Sequence, residues 1–138
     1  MAKPLMKLKV RLPAYHRPRN LWRREIHRVV AHELGRAGIR YTGGDRFEVA
    51  IRLYFAAGKL KLIDIDNRVK DILDALQGHV GGAGKKRRMV KPLIPNDNQI
   101  FRIVAEKCLP PWRSDHGLGH LTIRRYRGPR YSYNAGRC

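Results

Sequence analysis

The sequence predicts a single α/β (α+β) domain, a mixed β-sheet packed with two main helices. Three observations carry that expectation. The length of 138 residues suits one domain at roughly 100–200 residues each. Five short runs alternate apolar and polar residues, the period of a half-buried strand. Two longer runs repeat apolar residues at helical spacing. The expected order is β-α-β-β-α-β-β, with one domain over residues 1–138.

Residues 5–12 alternate apolar and basic side chains and read as a strand that Pro13 stops. Asn20 is a suitable N-cap for a helix over 20–37. Trp22, Ile26, Val29, Val30, Leu34 and Ala37 form its stripe, and Gly38 closes it. Gly43-Gly44 marks a turn, followed by a strand over 46–55. Residues 60–65 read as a short strand and 67–76 as the second helix, with Val69, Ile72, Leu73 and Leu76 on one face. Residues 77–95 are Gly-rich, then basic, and are expected to form a long mobile loop. Strands over 99–108 and 118–126 follow. Residues 127–138 are a basic tail with little pattern.

Thirty Lys and Arg against 11 Asp and Glu give a net charge of +19. A domain this basic is expected to meet a polyanion, nucleic acid before an anionic membrane surface. No apolar run approaches the roughly 20 residues of a spanning helix, and the N-terminus lacks the continuous apolar stretch of a secretory signal. Cys108 and Cys138 are too few for a disulfide framework, which points to a reducing interior. There is no P-loop, dinucleotide fingerprint or Ser/His/Asp arrangement, so no small-molecule cofactor is expected. Pairs of His at 27 and 32 and at 116 and 120 lack a helix with ligand spacing and suggest no zinc site.

The acids are unevenly placed. Five of the 11, Asp64, Asp66, Asp71, Asp74 and Asp97, fall between residues 64 and 97. On a strand over 60–65, Asp64 and Asp66 would share one face. Asp66 or Asn67 would cap the next helix, and Lys70, four residues on, could lean back over the strand end. If the strand over 99–108 runs beside 60–65, Asp97 would join the pair. Several Asp oxygens suit Mg²⁺, with Mn²⁺ able to substitute. The plain readings are that Asp66 merely caps, that Asp71 is a solvated surface acid and that Asp74 pairs with Lys70.

The stretch Asp64-Ile65-Asp66-Asn67-Arg68-Val69-Lys70, continued by Asp74-Ala75-Leu76 and then by Asp97-Asn98-Gln99-Ile100, resembles the RusA family of Holliday junction resolvases. Its pattern is D-x-D-N-x-x-K-x-x-x-D-A-L followed by D-D-x-Q-[VI]. The match spans roughly residues 45–107. The resemblance implies a homodimer that binds four-way DNA junctions and nicks two strands with Mg²⁺, in recombination and repair. It implies Asp64, Asp66 and Asp97 as catalytic and metal-holding carboxylates and Lys70 as the essential lysine, with Asn67, Asp74 and Gln99 supporting. The setting it implies is cytoplasmic and nucleoid-associated, in a bacterial or phage-encoded protein. The chain departs from the pattern at Asn96, where the family has the first Asp of its pair. It departs also in the long loop after Leu76 and at Pro13 to Asn20.

Three basic clusters are expected to follow DNA phosphates, which position a duplex without reading it. Arg17, Arg19, Arg23, Arg24 and Arg28 lie on the first helix and its lead-in. Lys85, Lys86, Arg87, Arg88 and Lys91 lie in the loop, and Arg124, Arg125, Arg127 and Arg130 near the end. Tyr126, Tyr131 and Tyr133 could stack on unpaired bases or simply pack. The alternatives are a non-catalytic basic module that holds branched DNA, and a related nuclease for flaps or other branches.

Overall fold

The computed structural model describes residues 7–81, 88–110 and 119–129. The order is β1 (Leu8–Leu12), α1 (Arg19–Ala37), β2 (Phe47–Tyr54), α2 (Ile65–Leu76), β3 (His79–Gly81), β4 (Arg88–Met89), β5 (Ile100–Cys108) and β6 (Gly119–Arg125). Short 3₁₀ turns at Ala57–Lys59 and Asp97–Gln99 precede α2 and β5. The expected α+β domain with a mixed sheet and two helices is what forms.

The sheet runs β1-β6-β2-β5, with β3-β4 as a separate hairpin. β6 is antiparallel to both β1 and β2, and β5 is parallel to β2. β1, β2 and β5 therefore point the same way, and each helix returns the chain to start the next parallel strand. Parallel strands need such crossovers.

Alternation sets the faces. Leu8, Val10 and Leu12 of β1, Val49, Ile51 and Leu53 of β2, and Leu121 and Ile123 of β6 are buried. They meet Trp22, Ile26, Val30 and Leu34 of α1 and Ile72, Ala75 and Leu76 of α2. Trp22 is fully buried, and its indole N–H donates to the Pro13 carbonyl at 3.0 Å. Such a bond satisfies the one polar atom of a buried indole.

Two expectations fail. No strand forms over 60–65, because β2 already has β6 on one side and β5 on the other. The segment instead turns, with Leu62 and Ile63 N–H donating to the Lys59 carbonyl. The element order is corrected accordingly. The loop over 77–95 holds the β3-β4 hairpin. Gly78 starts it at φ 86°, a conformation that favours glycine. The mobility expected of 82–87 and most of the basic tail lie outside the described residues.

Gly119 sits where β6 crosses β2. A Cβ there would lie 1.9 Å from the Arg52 carbonyl oxygen. Backbone cannot yield as a side-chain tip can. Gly119→Ala is expected to cost about 1–3 kcal/mol, the range for overpacking, as a lowered urea midpoint. An unchanged midpoint would show that the two strands separate freely.

Candidate functional site

The carboxyl ends of β1, β2 and β5 lie together, and α1 and α2 both begin there. In open α/β sheets such an end is where ligands bind, and each helix start adds about half a positive charge. Asp64 is the N-cap of α2, with extended backbone (φ −78°, ψ 116°) and no capping bond from its side chain. Asp66 follows in the first turn. Lys107, at the end of β5, fixes this segment. Its ammonium donates to the carbonyls of Leu60 and Ile63, the latter at 2.8 Å.

The shared strand face expected for Asp64 and Asp66 does not exist, since both sit at a helix start. Asp66 and Lys70 are one turn apart on α2 and both exposed. Asp64 and Asn67 line a cavity of about 240 Å³ with Tyr15, Arg17, Phe55 and Arg68. The side chains of Asp64, Asp66, Lys70 and Asp97 form no hydrogen bond or ion pair with another described residue.

Asp71 is the largest surprise. Expected as a solvated acid, it is fully buried. Its Oδ1 accepts from Arg19 at 2.7 and 3.1 Å and from Arg23 at 2.9 and 3.1 Å. Arg68 lies 3.6 Å from Oδ2 and stacks over the Tyr15 ring at 3.9 Å. The hydrogen bond that Arg19 donates to Asp71 holds its guanidinium pKa above its ordinary value. One carboxylate thus gathers Arg19, Arg23 and Arg68, the last of which lines the Asp64 cavity. Asp74 pairs with Arg23 at 3.2 Å, not with Lys70 as expected. Arg23 is therefore spent on interior pairing, with a side chain only 14% exposed, and is withdrawn as a phosphate contact. Arg17 and Arg19 remain exposed.

Asp97 is elsewhere. Ile100, three residues on, pairs with Phe47 at the amino end of β2, whereas Lys107 touches the Asp64 segment. The seven steps between Ile100 and Lys107 span about 23 Å at ~3.3 Å each. Leu93 and Ile94 hydrogen-bond to the Leu76 carbonyl, so Asp97 also follows the far end of α2. Asp97 therefore does not join Asp64 and Asp66 within one chain. No group of three His, Cys, Asp or Glu able to hold a metal ion occurs among the described residues.

The neighbours of Asp97 do structural work. Asn96 caps the 3₁₀ turn through its side chain to Asn98 N–H at 3.1 Å, a task Asp would perform equally. Gln99 is buried, and its amide donates to the Thr42 and Asp45 carbonyls at 2.9 and 2.7 Å. It pins the turn that launches β2.

Of the loop cations, Lys91 is exposed and its carbonyl meets His27 Nε2 at 2.8 Å. Arg88 lies in β4, and Lys85, Lys86 and Arg87 lie outside the described residues. Arg124 and Arg102 hold buried Glu48 at 2.5 and 2.8 Å, with their own side chains still 37% and 49% exposed. Burial works to raise the Glu48 carboxyl, but the hydrogen bond and charges of Arg102 and Arg124 outweigh it and lower the pKa.

Sequence reasoning missed Asp71, Arg68 and Tyr15. The only local signal for Asp71 was Arg68 three residues before it on α2, a spacing at which helix side chains meet. Its partners Arg19 and Arg23 are 52 and 48 residues away, beyond any local spacing rule.

The fold and site together define an α+β domain with a cationic, carboxylate-bearing cleft at the strand ends. Compared with family models, curated proteins and solved structures, the chain matches none. No helix among the described residues is long and apolar enough to cross a membrane.

Proposed function

We propose that this chain is a divalent-metal-dependent endodeoxyribonuclease of branched DNA, with four-way junctions as substrate, of the kind the RusA resemblance implies. The observation that carries the reading is the exposed Asp64, Asp66 and Lys70 at the start of α2, bordered by Arg17, Arg19 and Arg68. Two unpaired carboxylates in so cationic a setting are hard oxygen donors that fit Mg²⁺ or Mn²⁺. Such an ion, when bound, neutralises charge at the phosphate and activates water. Asp64 and Asp66 would hold it. The Lys70 ammonium would stabilise negative charge developing on the phosphate. Arg17 and Arg19 would hold flanking phosphates in register.

Two carboxylates are a sparse ligand set, and the edge of the sheet suggests where a third would come from. β5 is an edge strand with Ile103 and Val104 exposed at 47% and 40%. Long, uncovered apolar edges invite pairing with another chain. A second copy pairing antiparallel about Val104 would set Arg102 opposite Glu106 of the partner subunit, and the reverse. The same two-fold would carry Asp97 of the partner subunit to the end of the joint sheet that bears Asp64 and Asp66. A homodimer would then hold two composite sites. The reading implies work at the nucleoid of a bacterial cytoplasm, for a bacterial or phage-encoded chain. The second reading, a non-catalytic module for branched DNA, is favoured by the separation of Asp97 from the pair within one chain.

The test is cleavage of a labelled four-way junction beside linear duplex, in Mg²⁺ or Mn²⁺ against EDTA. Paired nicks near the crossover are expected, with metal only. Asp66→Asn should bind the junction normally and lose more than the roughly 10–100-fold that outer-shell changes cost. Tight binding by the wild type without nicks in either metal would favour the module. Cleavage of flaps but not junctions would reassign the substrate.

A further inference from the structure

We propose that the helix-free face of the sheet is a binding surface for single-stranded nucleic acid, separate from the carboxylate cleft. Both helices pack on one face, and no described element packs on the other. That open face is cationic. Lys7, Lys9 and Arg11 come from β1 and its lead-in, Arg52 from β2, Arg102 from β5 and Arg124 from β6. Against these six cations stand, among the described residues, two carboxylates, and each is already held by arginine. Glu48 is held by Arg102 and Arg124, and Glu106 by Arg52 at 2.8 Å. Arg52, Arg102 and Arg124 are thus each oriented by a carboxylate partner on the face.

The centre of the face is shallow. Ala50 and Thr122 keep its floor low, leaving a concavity of about 540 Å³. At one end stand aromatic rings. Phe101 is 52% exposed, its ring 5.4 Å from that of Tyr126, with the Arg46 guanidinium 5.2 Å from its centroid. A register shift between Phe47 and Glu48 opposes them to Ile100 and Arg102, so Phe101 is bulged out of the ladder. The bulge turns an aromatic ring out where regular alternation would have turned it inward.

An exposed ring beside a line of guanidiniums suits a strand whose bases are free to stack. A duplex would offer only phosphates, and Phe101 would gain nothing from it. Base stacking on an aromatic contributes about 1–3 kcal/mol and tolerates any sequence. The cations would follow the phosphates and make binding salt-dependent. This inference needs no cleavage chemistry. It stands or falls apart from the nuclease reading.

The test uses the full chain in EDTA, with labelled oligothymidylate and a labelled duplex as probes in anisotropy titrations across a salt series. Phe101→Ala is expected to weaken oligothymidylate binding about tenfold, within the range for one stacked base, and to leave duplex binding unchanged. Lys7→Gln with Lys9→Gln should flatten the single-strand log–log salt slope by about 1.4, or ~0.7 per phosphate. Circular dichroism and thermal melts confirm that both variants fold. Equal loss on both probes, or no loss on either, would overturn the proposal.

Discussion

Asp71→Ala is expected to lower the free energy of unfolding by about 3–5 kcal/mol, the cost of breaking a buried ion pair by removing one partner. The carboxylate is fully buried and collects Arg19, Arg23 and Arg68. Without it, three guanidiniums face one another with Arg23 and Arg68 only 14% and 15% exposed. Water reaches them poorly, so their repulsion is weakly screened. In a domain of this size each kcal/mol moves the melting temperature by roughly 4 °C, so a fall of about 10–20 °C is expected. Asp74→Ala supplies the contrast. Asp74 is 30% exposed and makes one ion pair with Arg23, and its loss should cost less than about 1 kcal/mol. Equal losses for the two variants would contradict this view of Asp71. The substitution should also loosen DNA binding, because Asp71 holds Arg19 and Arg68 beside the Asp64 cavity.

Much of the fold was legible because local pattern and tertiary role agree. The stripe of Trp22, Ile26, Val30 and Leu34 is the buried face of α1. The alternation of Val49, Ile51 and Leu53 is the buried face of β2. Residues 60–65 alternate equally well, yet form a turn. Strand periodicity says that a segment could pair, not that a lane beside β2 is vacant. Conversely, β5 shows alternation but little burial, because it is an edge that the helices leave largely uncovered. Alternation alone does not distinguish an edge from a centre.

The site divides in the same way. Asp64, Asp66 and Lys70 are near in sequence, and the chain keeps them near in space. Asp97 was expected beside them on the premise of a strand over 60–65, and that premise fails. Its position depends on which end of β5 it precedes, which strand order decides and spacing does not. The role of Arg23 was misread for a related reason. A basic residue on a helix flank reads as solvated unless its distant acidic partners are known.

The proposed homodimer nicks DNA with Asp66 of one chain and Asp97 of the other. Asp66→Asn and Asp97→Asn should each fold, bind a four-way junction and fail to nick it. The measurement is nicking in Mg²⁺ by the two variants unfolded together at equal amounts and refolded, beside each alone and the wild type. A mixed dimer would pair the intact Asp66 of one chain with the intact Asp97 of the other, giving one complete site. With random pairing, about a quarter of wild-type sites return, half of the dimers with one site in two. That recovery is expected, as single nicks rather than paired ones. A mixture as inert as either variant alone, with the wild type active, would contradict the shared site.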